Sequence, residues 1–130
     1  MDTIFLKISK GEIPCYKIAE DEHFFAFLDI NPLAEGHTLV VPKHAVDYIF
    51  DMNDIDLANM MLFAKKIAIA IKKVIPCKKV GITVIGLEVP HAHIHLVPIN
   101  HVYDIDFTKE KLNLSPKRFQ EIAFSISSII

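Results

Sequence analysis

Pro90-His91-Ala92-His93-Ile94-His95-Leu96-Val97-Pro98 is the stretch that decides how the rest of the chain reads. Successive side chains of a strand point to opposite faces. The alternation therefore predicts a strand with His91, His93 and His95 on one face and Ala92, Ile94 and Leu96 on the other. A helix would scatter the three histidines around its circumference. Histidine titrates near neutral pH, so a row of three points to chemistry. At this level two kinds are open. Neutral imidazoles bind zinc and other transition metals. Alternatively one imidazole attacks as a nucleophile while its neighbours orient it and move protons. A merely solvent-facing strand would sooner carry a mix of Lys, Thr and Glu.

The chain of 130 residues suits one domain around one core, and 52% hydrophobic residues place it far from disorder. A formal net charge of −2 offers no footprint for a nucleic-acid backbone. Charged residues interrupt positions 1–21, which predicts no secretion signal, and the longest apolar run falls short of a membrane span. Cys15 and Cys77 are far apart and match no metal spacing, so reduced thiols and a cytoplasmic location are expected.

Residues 3–9 read as a short helix capped by Asp2 or Thr3, with Ile4, Phe5 and Ile8 on one side. Lys17–Glu20 and His23–Asp29 read as a hairpin around Asp21-Glu22. Asn31-Pro32 and Ala34-Glu35-Gly36 turn the chain into a third strand, His37–Pro42, rich in β-branched residues. A long helix is expected over 55–75, capped by Asn53 or Asp54. Leu57, Met61, Ala64, Ala68, Ile71 and Ile75 form one apolar stripe on it. Met60, Phe63, Ile67, Ala70 and Val74 form a second, which belongs either to the core or to a partner subunit. Pro76 stops the helix. Val80–Ile85 and Val89–Ile99 follow as strands, and 100–113 reads as mostly loop. Ser115-Pro116 then opens a C-terminal helix striped by Phe119, Ile122, Ile126 and Ile129. The pattern predicts an α+β fold: a five-stranded antiparallel sheet with one long helix and a C-terminal helix.

The sequence His91-Ala92-His93-Ile94-His95-Leu96-Val97 resembles the signature of the histidine triad (HIT) family. Asp2-Thr3-Ile4-Phe5, Glu12-Ile13-Pro14, Ala26-Phe27-Leu28-Asp29-Ile30-Asn31-Pro32 and Gly36-His37-Thr38-Leu39-Val40-Val41-Pro42-Lys43 resemble its Hint-like branch, in the same order. The likeness spans nearly all of residues 2–100. It implies a HIT-like fold over 1–130, with its core in 3–100 and an extension carrying the last helix in 101–130. It also implies a homodimer whose long helices and sheets meet across a two-fold axis. The implied activity is that of a nucleotide hydrolase or transferase on a purine nucleotide. The reaction is at the α-phosphate of a nucleoside phosphoramidate or dinucleoside polyphosphate, through a nucleotidyl-histidine intermediate and without a cofactor.

By the same resemblance His93 is the nucleophile, and His91, His95 or His37 protonates the leaving group. Asp29 would bind the ribose hydroxyls, and Ile4, Phe5, Ile8, Ile13, Phe27 and Ile30 would line a base pocket, although each also reads as ordinary core. The chain departs from the pattern before the triad. Leu87 stands where Gln is usual and Glu88 where a hydroxyl is usual. A carboxylate beside a phosphate is repulsive, so Glu88 is expected to hold a histidine tautomer or to favour a cationic leaving group. Thr3 and Leu6 occupy positions where bacterial relatives carry zinc-binding cysteines, so no structural zinc is expected. Two alternative readings stand beside the enzyme: a nucleotide-binding module without efficient turnover, and a metal-dependent enzyme using His91, His93 and His95 as ligands.

Overall fold

The computed structural model describes residues 2–130. Strands β1 (Lys17–Glu20), β2 (Phe24–Leu28), β3 (Thr38–Pro42), β4 (Lys79–Thr83) and β5 (Ile94–Ile99) form one antiparallel sheet. Their spatial order is β1-β2-β3-β5-β4. Helices α1 (Ile4–Ser9), α2 (Asp54–Val74) and α3 (Pro116–Ser127) complete the α+β architecture. Each helix begins on a side-chain cap. Thr3 Oγ1 accepts from the Leu6 N–H, Asn53 Oδ1 from Asp56, and Ser115 Oγ from Arg118. The β1–β2 turn needs no glycine, because Asp21 Oδ1 accepts from the backbone N–H groups of both His23 and Phe24 at 2.8 Å.

The period of two along each strand divides the sheet into two apolar faces. Ala26, Val40, Ile94 and Leu96 lie in the larger core with Met60, Phe63, Ile67 and Ile71 of α2 and Ile122 and Ile126 of α3. On the opposite face Phe25, Phe27, Leu39 and Val41 pack with Phe5 and Ile8 of α1. His95 pairs with Leu39 across the β3–β5 ladder. It therefore emerges on the α1 side, and so does His37, two residues before Leu39.

Two details differ from expectation. Of the two stripes on α2, the second belongs to the core, with Met60 and Ile67 fully buried, whereas the first is divided: Ala64 and Ile71 are buried but Met61 is 48% exposed. The second stripe therefore does not meet a partner subunit. Ile55, Leu62 and Ile69 face outward instead. The fifth strand is also shorter than the alternation suggests and begins at Ile94 rather than Val89. Pairing to β5 runs out there, although β3 itself continues to Pro42. The β3 ladder reaches only Val40 opposite Ile94, and β4 ends with Thr83 opposite His95. The Ala92 N–H is taken by the Val46 carbonyl, outside the sheet. His91 and His93 therefore lie on an extended approach to β5. As expected, 100–113 is irregular apart from a 3-10 turn at Val102–Asp104; its later part is bound to the protein, as described below.

Candidate active site

The histidines do not form a single row. They form two hydrogen-bonded pairs of opposite polarity. His91 is fully buried. Its Nε2 lies 2.9 Å from the Pro42 carbonyl oxygen, and its Nδ1 contacts the Thr3 hydroxyl. A carbonyl only accepts, so the His91 proton sits on Nε2 and the Thr3 hydroxyl donates to Nδ1. Both ring nitrogens are thus occupied. The His91 carbonyl oxygen lies 2.7 Å from His93 Nδ1. That bond requires a proton on Nδ1, which leaves the Nε2 of neutral His93 with a free lone pair.

The second pair joins β3 to β5. The Leu33 N–H donates to His37 Nδ1 at 3.0 Å, so the proton of neutral His37 is on Nε2. That nitrogen lies 3.0 Å from His95 Nδ1 and donates to it. His95 must then carry its own proton on Nε2. Burial holds His37 neutral, its pKa lowered to about 4, with a further push from Lys111. Burial likewise lowers His95 to about 3, helped by the neighbouring His37 and His93. The His91 pKa is lowered too, first by burial and against the pull of the Pro42 carbonyl. The His93 and His95 rings are 5.0 Å apart between centroids. One site therefore presents a bare imidazole nitrogen beside an imidazole N–H.

Asp29, just beyond β2, approaches His37 Nε2 to 3.6 Å, too far for a hydrogen bond. Burial raises its pKa, opposed by the Asn31 N–H bond to its carboxylate. Asp29, His37 and His95 offer three ligand atoms within 4.8 Å of one another. Their hydrogen bonding does not suit a metal. The Leu33 N–H demands the lone pair on His37 Nδ1, so an ion on Nε2 would have to displace that ring's only proton. His91, with both nitrogens engaged, cannot join His93 and His95 around one ion. The metal-dependent reading of the triad therefore does not fit this geometry.

The expected base-pocket residues divide. Phe5, Ile8 and Phe27 belong to the smaller core, with Ile13 packed against it. The Phe5 ring stands edge-on to His93 at 4.8 Å. Ile4 and Ile30 instead face solvent, 49% and 64% exposed. Glu88 and Leu87 lie on an exposed loop. His23, His44 and His101 are exposed and lie outside the site. Gly36 has φ +90°, and a Cβ there would come within 2.8 Å of Ile75 Cγ1, so the turn into His37 requires glycine. Arg118 on α3 holds that turn by two bonds to Glu35, at 2.9 and 2.7 Å.

Sequence reading misses Leu33 and Phe107. A backbone N–H has no side-chain signature, and Phe107 is a lone aromatic in an irregular segment. Thr3 is legible as a cap but not as the partner of a residue 88 positions away.

The HIT domain family matches residues 10–102. An uncharacterized HIT-like protein of Borreliella burgdorferi is 38% identical over 134 residues, covering 97% of this chain and 96% of the relative. The adenosine 5'-monophosphoramidase hnt1 of Schizosaccharomyces pombe is 34% identical over 133 residues, covering 100% and 99%. The crystal structure of a Hit-like protein from Bartonella henselae superposes with a TM-score of 0.84 at 28% identity, covering 99% of this chain and 97% of that one. With its paired histidines, its sheet order and these likenesses in agreement, the chain belongs to the HIT family.

Proposed function

We propose that the protein hydrolyses or transfers nucleotides at the α-phosphorus of nucleoside phosphoramidates or dinucleoside polyphosphates, with His93 Nε2 as the nucleophile. The observation that carries this reading is the bond from His93 Nδ1–H to the His91 carbonyl, which fixes the tautomer so that the lone pair of the neutral ring is on Nε2, beside the His95 ring. Attack forms the P–Nε2 bond and breaks the bond to the leaving group, which departs with the electron pair. Water then cleaves P–Nε2, releases the nucleoside monophosphate and returns the lone pair to His93. For a phosphoramidate the leaving nitrogen gains one proton and the attacking water loses one.

His95 Nε2–H serves as a neutral hydrogen-bond donor to a phosphoryl oxygen, because its burial disfavours an imidazolium. His37 fixes the tautomer of His95. His91, by its engagement on both nitrogens, acts through its carbonyl as a positioning residue. Asp29 accepts from the ribose hydroxyls over a floor of Phe5, Ile8 and Phe27, with a purine as the base. Kinship with an adenosine 5'-monophosphoramidase supports this substrate class.

The test is incubation of wild type and His93→Ala with an adenosine phosphoramidate and a diadenosine polyphosphate. Wild type is expected to release AMP and, in an acid-quenched sample, to carry a nucleotidyl group that the variant lacks. Equal release by both proteins would refute the assignment. A specific observation favours a second reading, binding without turnover: Leu87 is 89% exposed where the family pattern has a polar group. Tight AMP binding by both proteins with no product from either would establish it.

The unpartnered face of α2 supports a homodimer. Ile55, Leu62 and Ile69 recur every seventh residue and are 74%, 64% and 50% exposed. The helix has Asp54 and Asp56 in its first turn and Lys72 and Lys73 in its last. Antiparallel pairing of two copies across a two-fold axis sets unlike charges together. No helix among the described residues is long and apolar enough to cross a membrane. The free thiols of Cys15 and Cys77 suit a reducing compartment, and the cytoplasm is the proposed location.

A further inference from the structure

The irregular segment after β5 does not simply lead to α3. It folds back onto the histidines. Phe107 packs edge-on against His95, with ring centroids 4.7 Å apart, and against His37 at 6.2 Å. The segment is fastened on both sides of that ring. Asp106 Oδ1 accepts from the backbone N–H and hydroxyl of Thr108 at 2.9 and 2.6 Å. Lys111 Nζ donates to the carbonyls of Phe107 and Lys109 at 2.6 and 2.9 Å. The Leu112 N–H donates to the Pro32 carbonyl at 2.9 Å, in the same loop as the Leu33 N–H that holds His37. A dangling connector would make few of these bonds.

We propose that Phe107 is a positioning residue for the His37–His95 pair, and that residues 106–112 form a fixed wall of the active site. The proposal rests on the nucleotidyl-transfer reading above. The ring covers the two imidazoles against water, which keeps them neutral and preserves the relay from Leu33 N–H through His37 to His95. The charged and titratable groups facing that pair are Asp29 from the end of β2, His93 from the approach to β5, and Lys111 from the wall itself. Asp29 and Lys111 are of opposite charge, and burial is the first cause of the lowered pKa at both rings. An imidazolium at His95 would set a second N–H against His37 Nε2–H and break the relay.

The experiment compares wild type, Phe107→Ala and Phe107→Leu by two readouts: the titration of the His37 and His95 ring signals by NMR, and the pH profile of kcat and KM with an adenosine phosphoramidate. In the folded Ala variant, at least one of the two rings is expected to titrate a pH unit or more higher. The acid limb of its kcat profile should move up by the same interval, with a smaller loss at pH 8 and KM within about threefold. The Leu variant, which retains an apolar cover, should return both readouts most of the way to wild type. An Ala variant that is folded by circular dichroism but has unchanged ring titrations overturns the proposal, and so does a Leu variant as perturbed as the Ala variant. Ring titrations need no substrate. A shift in them with no turnover by wild type upholds the role of Phe107 in the pair and defeats the catalytic reading instead.

Discussion

Thr3→Val is the substitution whose cost follows most directly from the structure. Thr3 is buried, 8% exposed, and its hydroxyl does two jobs. It accepts from the Leu6 N–H at the start of α1 and donates to His91 Nδ1. Valine preserves the shape and removes both bonds. Leaving an acceptor unsatisfied in a fully buried ring costs about 1–3 kcal/mol. Losing the helix cap costs about 1 kcal/mol. The expected loss is therefore about 2–4 kcal/mol, measured as the shift in a urea or guanidinium unfolding midpoint at unchanged m-value. Thr3→Ser retains both bonds and should lie within about 1 kcal/mol of wild type. Thr3→Asp retains the cap but has no proton to give at pH 8, so it should recover only the share due to the cap. Because the His91 carbonyl aims His93, the valine variant should also lose about tenfold in kcat with little change in KM. A valine variant within about 0.5 kcal/mol of wild type would refute the buried donor–acceptor chain.

Acid should destabilise the protein from an unusually high pH. The folded pKa values of His37 and His95 are about 4 and about 3, and the unfolded values lie near 6.5. Depressed folded values mean that the unfolded chain binds protons first. Their contribution is complete above about pH 6.5 and is lost at up to ~1.4 kcal/mol per pH unit for each histidine as pH falls toward 4. The raised pKa of Asp29 acts in the opposite sense and offsets part of this only in the carboxylate range. A stability profile by chemical denaturation that is flat from pH 7 to 5 would contradict the buried neutral state of His37 and His95. Gly36→Ala, at φ +90° and against Ile75, should cost at least about 1–2 kcal/mol, read as a lowered unfolding midpoint. Leu62→Glu should convert the proposed dimer to monomer in sedimentation equilibrium while leaving the circular dichroism spectrum unchanged. Arg118→Ala should cost no more than about 1 kcal/mol, since the Glu35 pair is partly exposed, as checked by the same denaturation assay.

Local pattern carries far along this chain because most of its elements announce themselves locally. The caps at Thr3, Asn53 and Ser115, the proline after α2 and the β-branched run in β3 are all side-chain signals that act within a few residues. The alternation of histidine with apolar residues reads correctly as a two-sided arrangement: Ala92, Ile94 and Leu96 belong to the larger core. It overreaches in length. Whether residues 89–93 belong to the sheet depends on whether β3 and β4 pair with them or another backbone group takes their N–H, as Val46 takes that of Ala92, and no property of 89–93 encodes that. The α2 stripes show the same limit. Two apolar stripes lie side by side, and only the crossing of α2 over the sheet selects Met60 over Met61 for the interior. Likewise Asp29 and His37 can be singled out as candidate site residues from sequence, but not that Phe107 packs against His37 and His95.

The division of four histidines into two pairs is set by backbone groups. On one side two carbonyls, from Pro42 and His91, each accept an imidazole proton. On the other a single amide, from Leu33, supplies one. Carbonyl anchoring of Nδ1 exposes a lone pair at the far nitrogen of His93. Amide anchoring, passed through His37, exposes a proton at the far nitrogen of His95. The polarity of each reactive edge is therefore decided at the opposite end of its chain of bonds. Replacing His37 tests this logic directly. Glutamine carries both an acceptor and a donor and can in principle take the Leu33 N–H while donating to His95. Leucine can do neither and releases His95 to either tautomer. His37→Gln should retain more kcat than His37→Leu at equal stability, and the gap should close if the relay is irrelevant to turnover.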